Sequence, residues 1–203
     1  MTIALHRVGD IADQIRGVTY RKQDASTTEA DGLLPVLRAG NITDEGLTYE
    51  DLVYVPSSKI SPKQKVRKHD IVIAASSGSI KVVGKSARAL EDFEGGFGAF
   101  CKVLRPRKEV NPAYFSHFFK TPEYRRTVSF LAEGANINNL RNEDLDDLQI
   151  PLPPLAEQKR IVAKVDQLLS QCDELSTRLR ERQSTTQQLL AATIHQILEN
   201  ANE

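Results

Sequence analysis

The 203-residue sequence predicts an α+β globular domain over residues 1–152, followed by a long coiled-coil helix over 153–203. Three observations predict it. Short apolar runs bounded by Gly and Pro recur through the first half, as strands do. An aromatic stripe at Tyr114, Phe115, Phe118 and Phe119 repeats at helical spacing. Residues 156–198 contain neither Gly nor Pro, and their apolar positions alternate four and three apart.

In chain order, the spacing of Ile11 and Ile15 predicts a helix over 9–15. Residues 33–38 read as a strand closed by Gly40-Asn41, and 52–55 as another stopped by Pro56. Residues 70–75 form a short apolar strand that runs into Ser76-Ser77-Gly78-Ser79, with 80–85 as its hairpin partner. Residues 97–104 give a further strand, with Pro106 after it. Asn111 caps a helix that has Pro112 at its first position, where a missing N–H costs nothing. Its aromatic stripe fits core packing better than a base-stacking platform. A second helix starts at Pro122, runs through Val128 and Leu131, and is ended by Gly134. Asn142 caps a short helix before Leu148, and Pro151-Leu152-Pro153-Pro154 breaks the chain.

Beyond the break, Ile161, Val165, Leu168, Cys172, Leu175 and Leu179 define an apolar seam. It weakens at Gln183 and Thr186 and resumes at Leu190, Ile194 and Ile197, after a 4-4 step that locally relaxes a supercoil. A helix over 156–198 would be roughly 65 Å long at ~1.5 Å per residue. A domain of this size cannot cover such a seam along its whole length, so a partner helix is implied.

Composition bounds the function. Lys plus Arg equal Asp plus Glu at 27 each, which taken alone argues against nucleic-acid binding. The distribution reverses that. Residues 57–90 hold Lys59, Lys63, Lys65, Arg67, Lys68, Lys81, Lys85 and Arg88 against Asp70 alone. Such a segment is either a phosphate-facing patch or a solvated lysine-rich surface. No apolar run approaches the ~20 residues of a membrane span, and the first residues lack the apolar stretch of a signal peptide. Cys101 and Cys172 have no metal-ligand spacing, so a reduced, cytosolic compartment is expected.

Catalytic patterns do not emerge. The sequence has no phosphate-binding Gly-x-x-x-x-Gly-Lys loop, no Gly-x-Gly-x-x-Gly turn and no Gly-x-Ser-x-Gly elbow. His6, His69, His117 and His195 are scattered, so no metal site is expected. Glu157-Gln158-Lys159 has the acid-x-Lys form of a nuclease fragment, but it opens the long helix, where an acid suits the helix dipole.

Residues 148–162, Leu-Gln-Ile-Pro-Leu-Pro-Pro-Leu-Ala-Glu-Gln-Lys-Arg-Ile-Val, closely resemble the junction between recognition domain and long helix in type I restriction–modification specificity subunits. Upstream agreement lies in residues 37–42 (Leu-Arg-Ala-Gly-Asn-Ile), in 70–73 with Ser77-Gly78-Ser79, and in 134–138 (Gly-Ala-Asn-Ile-Asn). The resemblance spans essentially the whole chain and is weakest over 10–35 and 45–65. That family usually carries two recognition domains and two helices that pair antiparallel. This sequence has one of each, so the resemblance implies a half-subunit, natural or excised. It also implies double-stranded DNA as ligand, methyltransferase subunits as partners and, in some assemblies, restriction subunits. S-adenosylmethionine would bind the methyltransferase, leaving this chain without cofactor or catalysis. A homodimer through the long helix is expected, and with it a two-fold, bipartite DNA site.

DNA reading divides between phosphate contacts and base contacts. The eight basic residues of 57–90 are the phosphate candidates. Ser76, Ser77 and Ser79 offer hydroxyls and backbone N–H groups, or simply form a hairpin turn. Asn136, Asn138, Asn139 and Arg141 are a polar cluster able to pair with adenine and guanine edges, or to cap turns. The competing function is a DNA-free interaction module, a globular head on a dimerising stalk, which would show no salt-dependent binding to duplex.

Overall fold

A computed structural model describes residues 3–132 and 138–200, with side chains up to residue 190 other than that of residue 138. The chain divides into two compact units, Met1–Lys159 and Arg160–Glu203.

The first unit is mixed α and β. Its main sheet has the order β2 (Ala12–Arg16), β9 (Cys101–Pro106), β5 (Ile71–Ala74), β7 (Ser86–Arg88), all antiparallel. Strand β5 is apolar and buried at every position because both faces of the sheet are covered. Ile71, Ile73 and Leu104 pack on one side with Phe115, Phe119, Tyr124 and Val128 from the helices. Val72, Ala74, Cys101 and Val103 pack on the other with Leu37 and Phe97. Leu37 and Phe97 come from a three-stranded sheet of β4 (Val53–Pro56), β3 (Leu33–Leu37) and β8 (Gly96–Phe97). A two-stranded pair of β1 (Leu5–Arg7) and β11 (Gln149–Pro151) holds the two ends of the globular unit together.

The first of the two aromatic helices starts with the expected cap. The Asn111 side-chain oxygen accepts from the N–H of Ala113 and Tyr114, both at 3.0 Å, at the start of α2 (Pro112–Phe118). Phe115 and Phe119 stack edge to face at 4.8 Å, and Phe119 meets Tyr124 at 5.1 Å. The aromatic stripe is core. Tyr124 belongs to α3 (Pro122–Ala132) and donates from its hydroxyl to the Gly84 carbonyl at 2.9 Å. The expected stop at Gly134 lies outside the described residues.

Four expectations are corrected. Residues 9–15 do not form a helix: a single turn, α1 (Val8–Ile11), gives way to β2, because pairing with β9 outweighs the local Ile spacing. Residues 80–85 are not the partner of β5, a role taken by β7. Gly84 stands between them at φ +77°, left-handed backbone that breaks a strand. The run 97–104 divides at Gly98, where the chain leaves β8 in one sheet and enters β9 in the other. Arg141, not Asn142, takes the cap position of α4 (Asn142–Asp146), with its N–H donating to Asp144 Oδ2 at 2.7 Å.

Helix α5 (Leu155–Asn200) starts within the first unit. There the Gln158 carboxamide is buried and satisfied: its oxygen accepts from Asn111 N at 2.7 Å, and its nitrogen donates to the carbonyls of Pro153 (2.9 Å) and Glu109 (3.1 Å). In the second unit Ile161 and Val165 are partly exposed, and Cys172 is exposed. Leu168, Leu175, Leu179 and Leu190 stand 47% to 66% open to solvent. Leu169 and Leu189 broaden this apolar face, whereas the side chains of Ile194 and Ile197 lie outside the described residues.

Candidate nucleic-acid interface

The site forms where β5 ends. After Ala74 the chain continues into β6 (Ser76–Ser77), which pairs antiparallel with β10 (Asn138–Asn139). The register sets Ser77 opposite Asn138 and Ser76 opposite Asn139. Ser76–Ser77 and Asn138–Asn139, far apart in sequence, are thus one structural feature. Ser76–Ser77 is a strand segment rather than a hairpin turn. Leu140 N donates to the Ala75 carbonyl at 2.8 Å, and the buried Lys102 ammonium donates to the Leu140 carbonyl at 2.7 Å. Burial lowers the Lys102 pKa, and Arg16 adds repulsion, partly offset by Asp144, Asp146 and Glu143.

Next to this pairing Arg141 is exposed and oriented by Asp144, with Nη2 to Oδ1 at 3.0 Å and Nε to Oδ2 at 3.3 Å. The hydrogen bond and charge of Asp144 hold the guanidinium pKa above its usual value. Ser79 N donates to the Ser77 hydroxyl at 3.2 Å. Asn136 and the side chain of Asn138 lie outside the described residues.

An open cleft of about 1080 Å³ runs along this edge, lined by Ser76, Ser77 and Gly78 on one side and by Tyr20, Arg38 and Asn41 on the other, with Phe100 at the rim. It shares Thr19, Ala99 and Cys101 with a hollow holding Arg16, Asn139 and Arg141, and shares Ala39, Gly40 and Ser77 with one holding Lys85 and Asp44. Through these shared residues the three make one trough, whose lining mixes hydroxyls, carboxamides and guanidinium groups with apolar surface and the carboxylates of Asp44, Glu45, Glu50, Asp51 and Glu143. Asn41 is buried and structural within it: its oxygen accepts from Arg38 N and its nitrogen donates to the Glu50 carbonyl, both at 2.8 Å. Arg38 is steadied by donating from Nη2 to the Asp51 carbonyl at 2.9 Å. Burial raises the Tyr20 phenol pKa, keeping it a neutral donor. Cys101, pushed up to about 12 by burial, is an inert wall.

The trough depends on a close approach of two chain segments. Val18 N donates to the Phe97 carbonyl at 2.7 Å, and a Cβ on Gly17 would lie 2.0 Å from the Gly98 carbonyl oxygen. Gly17→Ala is therefore expected to force the Thr19–Tyr20 wall away from Ala99 and Phe100. The expected cost is about 3 kcal/mol, the upper end for overpacking. Urea unfolding checks it, and an unchanged midpoint would show that the segments separate freely.

The basic segment of 57–90 does not make one patch. Lys65, Arg67, Lys68 and Arg88 lie near the Ile71 end of β5, while Lys81 and Lys85 follow its Ala74 end. Lys59 is paired with Asp24 at 3.0 Å, Lys65 with Glu94 at 2.7 Å and Lys85 with Asp44 at 3.3 Å. Lys63 is exposed in the turn before β5. Of the eight, only Lys85 lines the described trough. Sequence reasoning missed Arg16, Tyr20 and Arg38. Arg38 was within reach, since it sits in the Leu-Arg-Ala-Gly-Asn-Ile run of the family resemblance.

A family model described as the type I restriction modification DNA specificity domain matches residues 3–182. The chain belongs to this family. The chain is 47% identical over 174 residues, 86% of its length, to the StySPI specificity subunit of Salmonella potsdam. It has the same identity and coverage with the EcoKI specificity subunit of Escherichia coli strain K12. It spans 38% of the length of each of those relatives. Among solved structures it superposes with a TM-score of 0.70 and 25% identity on a chain from a type I R-M system described for complex assembly and conformational transition. The match covers 92% of this chain and 43% of that one.

Proposed function

We propose that this chain is the sequence-recognition element of a type I restriction–modification methyltransferase complex and performs no chemistry itself. The observation that carries the reading is the β6–β10 pairing, which joins Ser76 and Ser77 to Asn138 and Asn139, with Arg141 two residues on, at the edge of an open trough. Hydroxyl, carboxamide and guanidinium groups on a rigid edge match the donors and acceptors of base edges, the guanidinium suiting guanine and the carboxamide adenine. S-adenosylmethionine belongs on the methyltransferase partner, and restriction subunits join the same assembly in the cytosol.

The apolar face of α5 is covered by a second helix. A second copy of the chain, antiparallel, fits best: it carries the same seam, and a two-fold protein reads an inverted repeat with a non-specific spacer. The test begins with methylation mapping in the presence of the methyltransferase subunit, which defines the target duplex. Salt titrations against target and scrambled duplexes follow. Asn139→Ala and Arg141→Ala are expected to relax discrimination at one or two base pairs, by about 1–3 kcal/mol, with the salt slope unchanged. Replacing Lys63, Lys65 and Lys68 together by Ala weakens both duplexes alike and flattens the slope of log K against log[salt] by roughly 0.9 per lost phosphate contact. A wild-type slope in that variant removes the lysine segment from the DNA face. Unaltered discrimination in both trough variants would defeat the reading itself.

A further inference from the structure

Phe100 stands at the rim of the trough on a backbone held from several directions. Its carbonyl accepts from Ala75 N at 2.8 Å and from Ser76 N at 3.0 Å. Cys101 N donates to the Gly98 carbonyl at 2.8 Å, and Gly98 N to the Leu37 carbonyl at 2.8 Å. The ring is nevertheless 67% exposed. Among the described residues lining the trough, it is the one large apolar side chain left open to solvent.

Single exposed apolar residues are common on protein surfaces, so exposure alone decides nothing. The surroundings decide more. Ser76, Ser77, Tyr20 and Arg38 line the same cleft, and each is suited to a hydrogen-bonding base edge. In the major groove every base presents a donor or an acceptor, and the 5-methyl group of thymine is the one apolar group beside them. An exposed aromatic ring on a held backbone, among polar groups, fits that methyl group.

We propose that Phe100 is a specificity-determining residue that reads one thymine of each half-site through its 5-methyl group. The inference rests on the DNA reading of the trough and adds the chemical group that one of its residues recognises. Ser76 N donates to the Phe100 carbonyl and Ser76 is the cross-strand partner of Asn139, so the backbones of Phe100 and Asn139 are tied to one strand residue. Both therefore address the same half-site.

The test uses the full chain with its methyltransferase subunit and the duplex defined by methylation mapping. Each thymine of the half-site is replaced in turn by uracil, which removes the methyl group and nothing else. One replacement is expected to weaken wild-type binding about fourfold, the value of one methyl-sized apolar contact. Phe100→Ala should bind thymine and uracil duplexes equally at that position while keeping the discrimination that depends on Arg141. Phe100→Leu, still apolar, should retain a preference for thymine. Wild-type protein indifferent to every uracil replacement overturns the proposal without recourse to any variant. So does a uracil penalty that survives in Phe100→Ala, or a half-site that contains no thymine. A ring wedged between base steps would also be indifferent to the methyl and would fall under the first of these outcomes. If wild-type protein shows no preference for target over scrambled duplex, the DNA reading of the trough fails together with this inference.

Discussion

Leu168→Asp and Leu175→Asp are each expected to abolish self-association while leaving the globular unit folded. Both side chains stand open on α5, in an apolar face that runs from Ile161 through Leu190. A carboxylate there is harmless in an isolated helix, since it faces water. Once a second helix closes over the seam, the same carboxylate is stripped of water with no cation to receive it. That costs several kcal/mol, and each 1.4 kcal/mol is about tenfold in the association constant. A dimer that forms at micromolar concentration would then require millimolar protein. Sedimentation at tens of micromolar reads the mass directly, and circular dichroism of the β-rich unit reports its folding separately. Unchanged mass in both variants would place the seam elsewhere on the helix. Wild-type protein that stays monomeric at that concentration, and also with methyltransferase and DNA present, would defeat self-pairing altogether.

The residues that the sequence disclosed and those it concealed differ in the range of the forces behind them. Asn111 with Pro112, the Phe115–Phe119 stripe and the exposed leucines of α5 are local patterns: a cap, a 3.6-residue period and a heptad. Each is set within a few residues, and each is where the pattern puts it. The continuous run of β5 was likewise readable as a strand, because only burial on both faces supports four apolar residues in succession. What no local pattern carried was the pairing of Ser76–Ser77 with Asn138–Asn139. Two-residue strands have almost no propensity signal, and their register is set by the chain between them. For the same reason the Ile11 and Ile15 spacing misled: β2 is a strand only because β9, nearly a hundred residues later, lies beside it.

Charge density along the chain was also a poor guide to charge density in space. A strand carries its two ends to opposite edges of a sheet, so β5 separates Lys65, Arg67 and Lys68 from Lys81 and Lys85. The arginines that line the trough, Arg16, Arg38 and Arg141, come from three different segments. Of the run that composition singled out, only Lys85 joins them. Folding thus brings scattered arginines to one surface, where Asp44, Glu45, Glu50, Asp51 and Glu143 also lie, and no sliding window detects that mixture.

Asp70→Ala is expected to be the most destabilising single change in the globular unit outside its apolar core. The Asp70 side chain is 1% exposed and accepts three charge-assisted or backbone hydrogen bonds: Arg105 Nε to Oδ1 at 2.8 Å, Arg105 Nη2 to Oδ2 at 2.8 Å, and Arg67 N to Oδ2 at 2.8 Å. The fork-to-fork geometry with Arg105 is the strong form of such a pair. Arg105 is itself only partly exposed and otherwise donates to the Lys65 carbonyl at 3.2 Å. Removing the carboxylate leaves a guanidinium largely out of water with one neutral acceptor, and it frees the turn that leads into β5. The expected loss is about 3–5 kcal/mol, a large share of the roughly 5–15 kcal/mol that a domain of this kind possesses. The size of that loss reflects the stranded charge more than the worth of the pair. The double change Asp70→Leu with Arg105→Met, which removes both charges and keeps the volume, should accordingly recover most of it. Urea unfolding of the two single variants and the double variant completes the cycle. A single-variant loss below about 1 kcal/mol would show that solvent screens this pair as it does an exposed one. A double variant as unstable as Asp70→Ala would show that the carboxylate acts through the Arg67 amide and the turn rather than through Arg105.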